Sequence, residues 1–109
     1  MVKKNKINKL ADSVVKSLTG KGIPVKCLIL YGSYARGNPK PYSDIDIAVI
    51  SPFFEGKGIL RRQELLGEAL YNLGEPIEAL GYTPQEYKKP PVLSFLSEIL
   101  STGKLIYKS

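Results

Sequence analysis

Apolar residues fall on one helical stripe near the start of the chain: Ile7, Leu10, Ala11, Val14, Val15 and Leu18 recur between about Asn5 and Thr19. Gly20 and Gly22 supply the stop. After Pro24 the period changes. Val25 to Tyr31 is apolar nearly throughout and too short for a typical helix, which predicts a buried strand ended by Gly32. Residues 32 to 43 hold Gly, Ser, Asn and two Pro, and only Ser33 to Arg36 can start a helical turn. A second strand is predicted over Asp44 to Ile50. Ser51-Pro52 then opens a loop through Gly58, in which Phe53 and Phe54 are expected to fold back on the core.

A second helical stripe, Leu60, Leu66, Ala69, Leu70 and Leu73, predicts a helix from Ile59 to Leu73 closed at Gly74, and Pro76 to Tyr82 reads as a third short strand. Thr83-Pro84-Gln85-Glu86 is a capping box with proline at the first helical position, so a short helix starts there and fails at Pro90-Pro91. The last helix is predicted over Val92 to Thr102, with Leu93, Leu96, Ile99 and Leu100 inward and Gly103 at its end. This order calls for an α/β (α+β) fold, a small three-stranded mixed sheet covered by helices, as one domain over residues 1–109.

Size and charge narrow the chemistry. A chain of 109 residues, 43% of them apolar, suits a single core. A domain of this size can carry a small-ligand site and leaves a macromolecular substrate to dock from outside. The formal charge is +6, with Lys3, Lys4, Lys6, Lys9 and Lys16 crowded into the first stretch. Such a stretch can attract RNA or a polyanion such as ATP. No aromatic residues interleave with these lysines, so nucleic acid is weakly supported and a solvated helix face is the plainer reading. Cys27 stands alone and histidine is absent, which excludes an internal disulfide and a His-dependent triad or zinc site. Cys27 lies in an apolar run and reads as a small core residue. No segment reaches the roughly 20 apolar residues of a membrane span, so a soluble cytoplasmic protein is expected, with no membrane partner.

The most informative segment runs from Leu30-Tyr31-Gly32-Ser33-Tyr34-Ala35-Arg36-Gly37 to Asp44-Ile45-Asp46-Ile47-Ala48-Val49-Ile50. Gly32 lets a phosphate approach the backbone, the amides of the helical start and the Ser33 hydroxyl can donate to it, and Arg36 adds positive charge. Strand alternation puts Asp44 and Asp46 on one face about 6.6 Å apart along the chain. That face continues with Ala48 and Ile50, so keeping both carboxylates ionised beside a core requires a cation. Mg²⁺ answers that need, because it binds one or two carboxylates plus substrate phosphates. Two ions about 3.5–4 Å apart would serve the entering and leaving oxygens of an in-line displacement at phosphorus. The plain structural alternative is that Asp44 caps a turn while Asp46 pairs with Arg36 or Lys40.

Gly32-Ser33, the ten-residue gap and Asp44-Ile45-Asp46-Ile47 resemble the signature of the DNA polymerase beta-like nucleotidyltransferase superfamily. With Tyr34-Ala35-Arg36-Gly37 and Ser43 included, the segment is similar to the minimal nucleotidyltransferase branch. More loosely, Tyr82 to Tyr87 and Leu96 to Tyr107 look like that branch's C-terminal part. The resemblance implies that Gly32 and Ser33 hold the triphosphate of ATP, that Asp44 and Asp46 bind Mg²⁺, and that a third carboxylate on a later strand completes the site. Glu78 is the best match for it, with Glu75 close by. The resemblance also implies a partner, a small helical HEPN-type toxin neutralised by adenylylation of a tyrosine, for which the basic first helix, Tyr82, Tyr87 and Tyr107 are candidate docking surfaces. Two other readings stand beside this one: a module that binds nucleotide or caps a partner without chemistry, and a transferase acting on RNA or a small molecule.

Overall fold

The strand that follows the Asp-x-Asp start is apolar at every position but one. In the computed structural model, which describes residues 4–39 and 43–109, it forms β2 (Ile45–Ile50), with Ile45, Ile47, Ala48, Val49 and Ile50 all buried. Burial on both faces demands a central position. β2 pairs antiparallel with β1 (Cys27–Tyr31) and parallel with β3 (Ile77–Tyr82). A fourth strand, β4 (Lys104–Lys108), pairs antiparallel with the other side of β1, giving the order β3-β2-β1-β4.

The sheet therefore has four strands, and the expectation of three is corrected. Lys104-Leu105-Ile106-Tyr107-Lys108 carries a lysine at each end and buries no residue fully. Such a strand sits at an edge, where charge guards the open side, and its apolar pattern is too short to announce itself.

Three longer helices sandwich the sheet. α1 (Lys4–Gly20) and α3 (Ile59–Leu70) cover one face, where Leu10, Ala11, Val14 and Leu18 meet Leu28, Leu30, Ile45, Ile47 and Val49 together with Leu66, Ala69 and Leu70. The hydroxyl of Ser17 donates to the carbonyl of Ala69 and ties the two helices together. α5 (Phe95–Thr102) lies over the other face, where Cys27, Ile29, Tyr31, Ala48, Ile50 and Ile99 pack. Cys27 is a core thiol as expected, its pKa raised by burial against the smaller opposing effects of Tyr87 and Lys108. The short helix α2 (Ser33–Arg36) follows β1. Phe54 is fully buried and Phe53 packs beside it, so this loop does return to the core. No helix among the described residues is long and apolar enough to cross a membrane.

Several boundaries differ from the sequence reading, β1 and β3 each beginning one or two residues later than expected. Asp44 precedes β2 and is exposed. On α3 the inward stripe is Arg62, Leu66, Ala69 and Leu70, so Leu60, two residues ahead of it, is 77% exposed, and the last residues 71–73 tighten into a 3₁₀ turn. α5 begins at Phe95 because the Ser94 hydroxyl caps it, accepting from the Ser97 amide at 3.0 Å. Val92 and Leu93 are left outside the helix and fully in solvent, the reverse of the inward position expected for Leu93.

The capping box forms as read. The Thr83 hydroxyl accepts from the Glu86 amide at 3.1 Å and the Glu86 carboxylate accepts from the Thr83 amide at 2.8 Å, opening α4 (Pro84–Lys88). Buried Arg62 adds a second function to that glutamate. Its guanidinium donates to Glu86 at 2.8 Å, to the Gly81 carbonyl at 3.1 Å and, through Nε, to the Lys57 carbonyl at 2.8 Å. Burial opposes ionisation of Glu86, but the Arg62 hydrogen bond and the Thr83 amide outweigh it and hold the carboxyl below its ordinary value of 4.5.

A depressed carboxyl pKa stabilises the fold above the unfolded value, and that contribution fades as pH falls through the folded one. Glu86→Gln is expected to cost about 1–2 kcal/mol at pH 7, from the weakened cap and an under-partnered Arg62. Urea titrations should show this gap between the two proteins shrinking as the pH drops below 4.5. A gap that stays constant down to acid pH would mean that the ion pair contributes nothing.

Candidate active site

Along the α5 face of the sheet, the register lines up chemically distinct rows. Tyr31 stands opposite Asp46 on β2, and Asp46 opposite Glu78 on β3. One pleat further in, Ile29, Ala48 and Leu80 form the next row, and Cys27, Ile50 and Tyr82 the last. The acidic row lies at the end of the sheet where β1 gives way to Gly32 and α2. Glu78, on an edge strand, is exposed, while Asp46 is half-buried.

That arrangement raises the pKa of Asp46: burial is the main cause, repulsion from Glu78 and then Asp44 adds to it, and Arg36 acts in the opposite direction. The Tyr31 phenol is pushed up in the same way, by burial first and then by Asp46 and Glu78. A row of this kind attracts a cation, and its donor set of carboxylate oxygens is the kind that Mg²⁺ takes. Asp46 and Glu78, with Asp44 just ahead of the strand, would hold the ion. Among the described residues no three acidic or thiol groups gather closely enough to hold a metal by themselves.

Gly32 is fixed by two demands at once. Its φ of 75° and ψ of −152° lie in a region open essentially to glycine alone. A Cβ built on it would also collide with Oδ2 of Asp46. Any side chain here would displace the carboxylate, so the backbone and Asp46 share one confined space. The turn continues into α2, where the Arg36 amide donates to the Gly32 carbonyl at 3.2 Å and, just past the helix, the Asn38 amide donates to the Ser33 carbonyl at 3.0 Å.

Gly32, Arg36, Asp46 and Glu78 line one cleft of about 590 Å³. The expected site residues thus meet in four cases out of six: Ser33 and the exposed Asp44 are not part of its lining. Glu75, the rival third carboxylate, precedes β3 and lines a separate cavity of about 360 Å³ beside α3, which Glu78 also borders. Arg36 is exposed, and Lys40, the other suggested partner for Asp46, lies outside the described residues. Of the tyrosines considered for docking, Tyr82 lines the cleft, Tyr107 packs against the core and Tyr87 is at the margin of exposure.

The cleft also contains residues that the sequence reading did not assign to it. Tyr31, Leu80 and Tyr82 share the acidic face by simple alternation with Asp46 and Glu78. Phe95, Glu98, Ile99 and Thr102 line the cleft from α5 at i, i+3, i+4 and i+7. That spacing is legible, but it carries no sign of which neighbour the helix faces.

A mixed sheet with these helices and this acidic row is the nucleotidyltransferase fold, and the solved structures agree. A crystal structure of a provisionally assigned nucleotidyltransferase from Sulfolobus solfataricus superposes with a TM-score of 0.67 at 17% identity, covering 96% of this chain and 83% of that one. A toxin–antitoxin structure with AMP-PNP superposes with a TM-score of 0.63 at 22% identity, covering 91% and 73%. The sequence profile described as "Nucleotidyltransferase domain" matches residues 7–101, and the chain belongs to that family. Three relatives from Methanocaldococcus jannaschii carry the provisional name protein adenylyltransferase. MJ1305 is 29% identical over 93% of this chain and 71% of its own length, and MJ0435 is 38% identical over 70% and 77%.

Gly32→Ala tests the confined space. It should cost about 1–3 kcal/mol of stability through the backbone alone. It should also abolish whatever the Asp46 carboxylate binds, because the added methyl occupies that oxygen's position. Circular dichroism melts beside calorimetric binding of Mg²⁺–ATP check both, and normal binding by the alanine variant would remove Gly32 from the site.

Proposed function

We propose that this chain is a one-domain, Mg²⁺-dependent cytoplasmic enzyme that moves AMP from ATP onto a hydroxyl of a separate protein. The observation that carries the reading is the row Asp46–Glu78 beside Gly32 in a single open cleft. The family supports the reaction class. The names of the M. jannaschii relatives support the adenylyl group and a protein acceptor. The toxin–antitoxin neighbour supports pairing with a toxin, here proposed to be of the small helical HEPN type with a tyrosine as acceptor, so that the chain acts as an antitoxin.

In this reading Gly32 admits the triphosphate close to the backbone, Ser33 donates to it, and Arg36 offsets its charge. Asp46 and Glu78, with Asp44 ahead of the strand, would hold Mg²⁺, which would supply charge neutralisation at the phosphates and lower the cost of forming an alkoxide or phenolate. The acceptor oxygen gives up its proton to a carboxylate, for which Glu78 at the open edge is best placed, and attacks the α-phosphorus. A new oxygen–phosphorus bond forms while the bond from the α-phosphorus to the bridging oxygen breaks. Pyrophosphate leaves on the Gly32 side, and the acceptor keeps AMP.

Asp44→Asn/Asp46→Asn should weaken Mg²⁺-dependent ATP binding by at least about tenfold, since the ion that offsets the triphosphate charge would lose two of its carboxylates. Calorimetry with and without Mg²⁺ is the measurement, and an unchanged affinity would remove these two residues from the site.

Glu78→Gln should lower turnover by about 10²–10⁴-fold while changing ATP affinity far less, as expected of a proton acceptor. The assay incubates labelled ATP, Mg²⁺ and a helical partner protein, and maps the modified residue by mass spectrometry. Wild-type turnover in the variant would move the role to Glu75, and label found only on RNA would refute the protein acceptor.

A further inference from the structure

The acidic row occupies only one part of the cleft. The rest of the lining differs in character: Ile59, Leu80, Tyr82, Phe95 and Ile99 dominate it, with Glu98 and Thr102 of α5 beside them. Two of these residues are conspicuously unburied for their type, Ile59 at 68% and Phe95 at 55% exposure. Large apolar side chains left open within a concave site that also gathers charged groups mark a place for a ligand with an apolar part.

From this division we infer that the apolar part of the cleft seats the nucleobase, with its ring packed against Phe95; the inference rests on the nucleotide-transfer reading above. The strand geometry sets the scale. Leu80 lies two residues beyond Glu78 and Tyr82 four, which places them about 6.6 and 13 Å along β3 from the acidic row. With the reacting phosphorus at Asp46 and Glu78 and the leaving phosphates toward Gly32, the nucleoside extends over Leu80. Its base then lies between the β3 floor and the α5 wall. A nucleotide is charged at one end and flat and weakly polar at the other, and the cleft repeats that order.

Phe95 is prepared for such a contact. It is the first residue of α5, held by the Ser94 cap, and its ring meets Tyr31 edge to face, with centroids 5.8 Å apart and planes at 86°. Tyr31 is itself in the acidic row, so the ring that would meet the base is braced by the strand that leads to the phosphate turn. The hydrogen-bonding side chains in this part of the cleft are those of Tyr82, Glu98 and Thr102. Thr102 already donates its hydroxyl to the Glu98 carbonyl at 2.9 Å. Ring contact, which every base offers through its π-face, is what Phe95 adds to these polar groups.

The test compares Mg²⁺–ATP with Mg²⁺–tripolyphosphate, which has the charge and no ring, by calorimetry on wild type, Phe95→Ala and Phe95→Tyr. Wild type should bind ATP more tightly than tripolyphosphate. Phe95→Ala should weaken ATP binding by about tenfold, the scale of one lost ring contact, with tripolyphosphate little changed, and Phe95→Tyr should restore ATP affinity. Equal losses for both ligands in Phe95→Ala would indicate a distorted site and overturn the inference. So would ATP affinity untouched by Phe95→Ala, including the case in which only transfer to the acceptor suffers, because the ring would then serve the acceptor. Tripolyphosphate bound by wild type as tightly as ATP would overturn the base seat and leave the phosphate site standing. Neither ligand binding to wild type would overturn the nucleotide reading itself.

Discussion

Asp46 and Glu78 face the same cleft from neighbouring parallel strands, and the repulsion between them is the constraint around which the rest is arranged. Left to itself, a strand with a half-buried carboxylate beside a second one would shift its register or move to the sheet edge. β2 does neither, because Ile45, Ile47 and Val49 are locked into the α1–α3 core on one face while Ala48 and Ile50 are buried on the other. A one-residue slip would exchange those faces and turn the Asp46 carboxylate into the α1–α3 core. The apolar residues on either side of Asp46 therefore fix where its charge points, and the energy of core packing is what holds the two carboxylates together.

β3 needs a different device, since it is an edge strand with little buried surface of its own. Its far end is tied down by hydrogen bonds: the Ser51 amide donates to the Tyr82 carbonyl at 2.9 Å, and Arg62 donates to the Gly81 carbonyl. Gly81 permits a close approach here, for a Cβ on it would stand 2.8 Å from the Phe54 ring. Because the same Arg62 holds Glu86 of the capping box, one buried guanidinium joins α3, the end of β3 and the start of α4. This anchoring fixes the register of β3 from one end, and Glu78 at the other end inherits its place opposite Asp46.

Much of this was legible before any coordinates. Gly32-Ser33 and Asp44 to Ile50 disclosed the turn and the strand because each position there answers to a local rule: a backbone conformation for Gly32, alternation for Asp46, apolarity on both faces beyond it. Glu78 was legible only through the resemblance, since no local pattern marks the partner of a carboxylate thirty-two residues away; the β2–β3 register supplies that. β4 was missed because its hydrogen bonds to β1, not its side chains, make it a strand. Leu60 and Leu93 were assigned inward by spacing alone. Arg62 shows why that fails: a polar residue with carbonyls and a carboxylate to bond took the inward position that apolar counting gave to Leu60.

The turn between α4 and α5 breaks a local rule next to the cleft. Ser94 donates its amide to the Pro91 carbonyl at 3.2 Å, which makes Val92 and Leu93 the corner residues of a tight turn, and Leu93 adopts φ 61°, a value that favours glycine. A leucine held there costs roughly 1–2 kcal/mol, and at 95% exposure it recovers nothing by packing within this chain. The cost is tolerated because the chain has few other ways to proceed. Pro90 and Pro91 stop α4, and only three residues later Ser94 must present its hydroxyl to the first turn of α5. A more relaxed backbone at Leu93 would rotate that cap, and with it the ring of Phe95, away from Tyr31. The strain at the corner and the orientation of the aromatic wall are thus two consequences of one short connection.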